Sequence, residues 1–162
     1  MDTLKQLKEE LTEEYQTTKK FFELFPDGKN GYAPHPKSMK LMPLAQHVAE
    51  VFGWADIVLK TDSIDFASGD RPQPFSSRQE LLDALEKNHA VSIEALSRAA
   101  EADLLPLWSV TYNGHKVGEW TKYGAIRHSL NQATHHRAQL GVYYRLNDIK
   151  VPGSYGPSAD EM

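Results

Sequence analysis

His128, Gln132 and His136 follow one another at intervals of four residues, in and just before the stretch NQATHHRAQLGVYYR. On a helix each such step climbs about 6 Å and turns about 40°, so the three side chains form one inclined stripe. Imidazoles at i and i+4 converge on one ion, the geometry that helical metalloprotease motifs use. His128 and His136 would stand about 12 Å apart along the axis, too far for both to hold a single ion comfortably. His135 lies about 100° round the helix from His136, so the adjacent pair does not easily serve one ion either. A further ligand has to come from another element, and His47 falls on the apolar stripe of an earlier helical segment. Bundles build metal sites in this way, from imidazoles turned inward on two helices. The bland alternative is a hydrogen-bonded polar patch, because most buried polar groups are simply satisfied. Arg137 suits either an anionic substrate or a structural ion pair. Trp54 is a candidate substrate contact, and with Trp108 and Trp120 it equally suits core packing. His35 and His115 fall in turns and His89 on a charged helix, all expected to face solvent or bond locally.

Four segments carry the helical period that would position these groups. From Thr3 to Phe25, Leu4, Leu7, Leu11, Tyr15, Thr18, Phe22 and Phe25 recur every three or four residues, with Lys19 and Lys20 toward the end. PDGKNGYAPHP breaks the pattern. A second helix is expected from about Met42 to Lys60, with Pro43 in its first turn. Its buried stripe is Leu44, His47, Val48, Val51, Trp54 or Ala55, and Val58. A loop containing ASGDRPQPF follows. The third helix opens with the capping box Ser77-x-x-Glu80 and runs through Leu81, Leu82, Leu85, His89, Ile93 and Leu96. LWSVTYNGHKVGEW reads as a minor β-hairpin turning at Asn113-Gly114. The fourth helix is expected from about Glu119 to Leu146, with Trp120, Tyr123, Ile126, Leu130, Ala133, Leu140 and Tyr144 apolar. The turn-rich tail DIKVPGSYGPSADEM is expected to lie over the bundle. The pattern predicts an all-α four-helix bundle, a single domain over residues 1–162.

Composition narrows the functions. With 40% apolar and 25% charged residues the chain of 162 belongs with ordered globular proteins. A net charge of −4, without a long basic block, gives no electrostatic footprint for nucleic acid. No apolar run approaches a membrane span. The start, MDTLKQLKEELTEEY, lacks the apolar core of a signal peptide, so a cytoplasmic setting is expected. The chain has no cysteine, which excludes disulfides, a thiolate nucleophile of its own and cysteine-ligated metals.

HSLNQATHHRAQLGVYYRLNDIKVPGSYGPSADE resembles the signature of the DinB/YfiT-like family of small helical bundles, and PLAQHVAEVFGWAD resembles that family's second helix. The resemblance covers nearly the whole chain, and the helix-four motif is its most specific part. It implies an up-down-down-up four-helix bundle, a homodimer, and a divalent metal, nickel or zinc, held by three histidines with open water positions. His47 matches the first family ligand and His136 the third. The second should follow Asn131, where this chain has Gln132. An amide oxygen is a harder, weaker ligand than imidazole, so the implied site of His47, Gln132 and His136 is weak or has lost its metal, with His128 as the alternative third ligand. Relatives include S-transferases and isomerases that use mycothiol, bacillithiol or glutathione. The implied function is therefore thiol-dependent transfer to a small electrophile, the thiol supplied by a low-molecular-weight cosubstrate. Metal-dependent hydrolysis and a non-catalytic stress-response or small-molecule-binding bundle are the alternatives.

Overall fold

A computed structural model describes residues 2–68 and 73–162. In chain order the elements are α1 (Thr3–Glu23), α2 (Leu41–Val51), α3 (Trp54–Lys60), β1 (Ser63–Asp65), α4 (Arg78–Arg98), a 3-10 turn (Glu101–Leu104), β2 (Leu107–Tyr112), β3 (His115–Thr121) and α5 (Lys122–Arg145). The loop expected around ASGDRPQPF lies partly outside the described residues, at 69–72.

Each long helix starts where a side chain satisfies an orphan backbone N–H. Asp2 accepts from Lys5 N at 2.9 Å, Thr121 from Gly124 N at 3.1 Å, and Ser77 and Glu80 form the expected capping box. The helices then bury one apolar face each. α4 and α5 both pack against α1 on one side and against α2 and α3 on the other. Between them lie Leu7, Leu11, Phe21 and Phe22 of α1, Leu44 and Val48 of α2, Leu81, Leu85 and Leu96 of α4, and Ile126, Leu130, Leu140 and Tyr144 of α5. Removing each of these side chains from water stabilises the fold by about 1.5–3 kcal/mol, which fixes how the helices face one another.

The architecture departs from four helices and a hairpin in two places. The expected helix from Met42 to Lys60 is two helices, interrupted at Phe52 and Gly53. The interruption frees backbone carbonyls, and α4 captures them: Asn88 Nδ2 donates to Ala49 O at 2.9 Å and Ser92 Oγ to Phe52 O at 2.6 Å. Gly53 permits the approach, since a Cβ there would sit 3.3 Å from Asn88 Oδ1. The second departure is the sheet, which is mixed and three-stranded, in the order β1-β2-β3. β2 and β3 form the antiparallel hairpin, with Asn113 and Gly114 both at positive φ, as a two-residue turn of this kind requires. β1 adds a parallel edge, pairing Ser63 with Ser109 and Asp65 with Thr111. The Asp65 carboxylate then accepts from Asn113 N at 3.1 Å and Gly114 N at 2.8 Å, tying this edge to the hairpin turn. Glu119, Trp120 and Thr121 belong to β3 rather than to the last helix, so Trp120 faces Trp108 across the ladder. Among the described residues no helix is long and apolar enough to cross a membrane.

Candidate functional site

α2 and α5 pack side by side, and their facing surfaces carry the histidines. His47 projects from α2, half-buried, and its ring meets that of His136 on α5 edge-on, with centroids 4.8 Å apart and planes at 77°. Burial keeps the His47 pKa below its usual 6.5, and the neighbouring His136 pushes it the same way. A hydrogen bond that the ring donates to the Gln132 side chain partly opposes them. His47 is therefore biased toward the neutral imidazole, the form with a lone pair to offer.

Gln132 is the hub of the cluster. Its Oε1 lies 2.8 Å from His136 Nε2, and its Nε2 lies 3.4 Å from His128 Nε2. The other ring nitrogen of His136, Nδ1, lies 2.8 Å from Gln139 Oε1. Gln139 in turn places its Nε2 3.2 Å from His135 Nε2 on the exposed side of the helix. The helical spacing that brought His128, Gln132 and His136 onto one stripe thus extends by one more residue than the sequence suggested. Gln139 stands three residues after His136 and four after His135, and that spacing was the signal for it.

His136 has more acceptors around it than it can satisfy. A neutral imidazole carries one N–H and one lone pair, yet both ring nitrogens face amide oxygens. Three states relieve this: a second proton on the ring, a half-turn of one amide, or a cation between Nε2 and Gln132 Oε1. The third fits the donor set. Neighbouring ligands on one ion with bonds of about 2.0–2.2 Å stand roughly 3.0–3.4 Å apart, a few tenths beyond the 2.8 Å here. Gln139 on Nδ1 supplies the outer hydrogen bond that orients a ligating imidazole. The set is nevertheless short of anionic or third imidazole ligands. Among the described residues no group of three or more His, Asp or Glu side chains is placed to hold an ion.

His128 meets the cluster at the Gln132 amide nitrogen. It is stacked on Trp120, with centroids 4.8 Å apart and planes at 23°, and flanked by Trp54 at 6.4 Å. Trp54 also touches Trp108 and Phe66, so an aromatic wall runs along one side of the cluster. Gly118 underlies this wall, because a Cβ there would meet the Trp120 ring at 2.4 Å.

Arg137 occupies neither the cluster nor the wall. One position round the helix from His136, it turns toward α1 and is 1% exposed. Its guanidinium pairs with Glu14 at 2.5 Å and donates to Thr18 Oγ1 at 3.1 Å and to the Tyr155 hydroxyl at 2.9 Å. The substrate-binding role considered for Arg137 is thus replaced by the structural ion pair. Glu14 and Tyr155, its partners, carried no local signal: they lie 123 and 18 residues from Arg137, and 141 from each other. His89 stacks on Tyr15 at 4.2 Å, and His35 Nδ1 accepts from Lys37 N at 3.1 Å. Both serve local packing.

No family model matches the sequence, and no curated protein matches it closely enough to count as a relative. Solved structures do match. A DinB-like protein from Bacillus subtilis superposes with a TM-score of 0.71 at 16% identity, over 94% of this chain and 99% of that one. A DinB-like protein from Bacillus cereus ATCC 10987 gives 0.67 at 20% identity, over 89% and 92%. A structure described as a putative member of the DinB family, from Exiguobacterium sibiricum 255-15, gives 0.66 at 17% identity, over 100% and 99%. These likenesses extend over both chains almost end to end, and the protein has the fold of the DinB-like proteins.

Proposed function

We propose that the protein is a DinB-like metal-dependent transferase whose weak divalent-cation site, for nickel or zinc, is His47, Gln132 and His136. One observation carries the reading: His136 Nε2 and Gln132 Oε1 face each other at 2.8 Å while the other nitrogen of His136 already faces an acceptor. A bound divalent cation would supply Lewis acidity that lowers the pKa of a thiol to the physiological range. The remaining roles belong to the chain. Gln139 holds the His136 ring in orientation, and burial biases His47 toward the neutral form that can ligate. Trp54 and Trp120 pack aromatic surface against His128 beside the cluster. With no cysteine in the chain, the thiol has to be a low-molecular-weight cosubstrate, joined through sulfur to a small electrophile.

A second reading rests on the same hydrogen bonds. If the Gln132 amide makes a half-turn, the His136–Gln132 contact is satisfied without an ion, and the bundle keeps a polar pocket with no metal chemistry. Titration calorimetry with zinc and nickel separates the two. The first reading expects weak binding by the parent, loss of binding in His47→Ala, and binding tightened at least about tenfold in Gln132→His, because neutral nitrogen suits both metals better than an amide oxygen. Heat-silent titrations for the parent and for Gln132→His would leave the second reading standing.

A further inference from the structure

A cavity of about 290 Å³ opens between α3, α4 and the start of α5, lined by none of the histidines. Lys122, which lines it, is fourteen residues before His136, or roughly 21 Å along the helix. The side chain of Lys122 is only 10% exposed. An ammonium has three N–H donors, and burying it is costly unless they are met. Among the described residues its Nζ finds one carbonyl, Leu59 O at 3.3 Å, and one carboxylate, Asp62 at 3.6 Å, whose own side chain is 93% exposed.

The other charges on the cavity wall are already committed. Asp56 pairs with Lys60 at 2.6 Å, Glu94 pairs with Arg98, and Asp103 accepts from Ala100 N at 2.8 Å. Lys122 is the buried cation left with donors to spare. Leu59, Ala95, Ala99 and Pro106 give the rest of the wall an apolar character. We infer that this cavity is a binding site for a small organic anion, a carboxylate with a compact apolar body, whose charge meets Lys122. Its volume lies at the lower end for ligand pockets and suits a metabolite-sized molecule. The apolar body covers Ala95 and Ala99 while the carboxylate replaces the water that otherwise hydrates the ammonium.

The test is a set of proton–nitrogen NMR titrations of the full chain with benzoate, with inorganic phosphate and with benzylamine. Benzoate is expected to give saturable shifts at the amides of Ala95, Ala99 and Lys122. Lys122→Met should weaken that binding at least about tenfold, as loss of a hydrogen bond to a charged group does. Ala99→Leu, which fills the cavity and keeps the lysine, should weaken it as well, so the outcome does not hang on one variant. Phosphate and benzylamine, lacking the body or carrying the wrong charge, should not saturate at these amides. The proposal is overturned if benzoate gives no saturable shift, if both variants bind it like the parent, or if phosphate or benzylamine binds as tightly as benzoate.

Discussion

Replacing Gly118 with alanine sets two effects of opposite sign against each other. Gly118 lies within β3 and its φ is not positive, so alanine is compatible with the backbone. By itself that change stabilises a protein by about 0.4–1 kcal/mol, because the unfolded chain loses freedom. Against it stands the Trp120 ring, whose atoms a Cβ would meet at 2.4, 2.9 and 3.1 Å. Ordinary carbon contacts begin near 3.5 Å, so the ring has to move by about 1 Å. These are the outer atoms of the indole, so it can swing without moving the strand, and it then gives up its stack on His128. Overpacking costs about 1–3 kcal/mol and the stack about 0.5–1.5 kcal/mol. The clash should win by about 2 kcal/mol at the middle of these ranges, lowering Tm by roughly 4–8 °C for a chain of this length. Urea and thermal unfolding give the stability, and the ring-proton shifts of His128 report whether the indole has left it. In a Trp120→Ala background the same Gly118→Ala change should be neutral or stabilising, and the difference between backgrounds isolates the contact. Equal effects in both backgrounds, with His128 shifts unmoved, would refute the reasoning.

Three other expectations follow from the ion pairs and titrating groups. Arg137→Met should cost about 3–5 kcal/mol in urea unfolding because it leaves Glu14 buried and unpaired, and adding Glu14→Leu should recover most of the loss. Burial holds the pKa of His89 below the usual 6.5, so the unfolded chain binds its proton first. The stability tied to His89 is present above pH 6.5 and is lost as pH falls through the lower folded value; His89→Phe, which keeps a ring against Tyr15, should flatten the fall in Tm below pH 6.5. The Arg145 guanidinium and Val151 N–H hold the carboxyl of Asp160 down to about 2 from 3.8. Its contribution is complete above pH 3.8 and vanishes toward pH 2, and Asp160→Asn at neutral pH should speed proteolysis within residues 148–162.

What was legible in the sequence was whatever rests on near neighbours. Ser77 and Glu80 fixed the start of α4, the Asn113-Gly114 pair located the hairpin turn, and the four-residue spacing put His128, Gln132 and His136 on one face. The break between α2 and α3 was hidden because its stabilising partners, Asn88 and Ser92, lie about forty residues downstream while the apolar stripe runs on through Trp54 and Val58. β1 was hidden for a related reason: three residues are too few for an alternation, and its strand pairing and the hold of Asp65 on the hairpin turn come from residues beyond 108. Trp120 extended the helical period backwards by chance, and its strand identity is set by its pairing with Trp108. For the site, spacing along α5 was readable, whereas the roles of Arg137 and His128 depended on what α1, α3 and β3 present to them.

The Tyr155 hydroxyl has a bearing on the order in which the molecule is completed. It touches Glu14 Oε1 at 2.7 Å, Arg137 at 2.9 Å and Thr134 Oγ1 at 3.1 Å, so a residue of the tail finishes a charged contact between α1 and α5. During synthesis α1 emerges before α5 and the tail, with a glutamate on the face it buries whose partners, Arg137 and Tyr155, follow it in the chain. Until both have left the ribosome, packing α1 against its neighbours would trap an unpaired carboxylate. Burying Glu14 of α1 without that cost therefore requires both a residue of α5 and a residue of the tail.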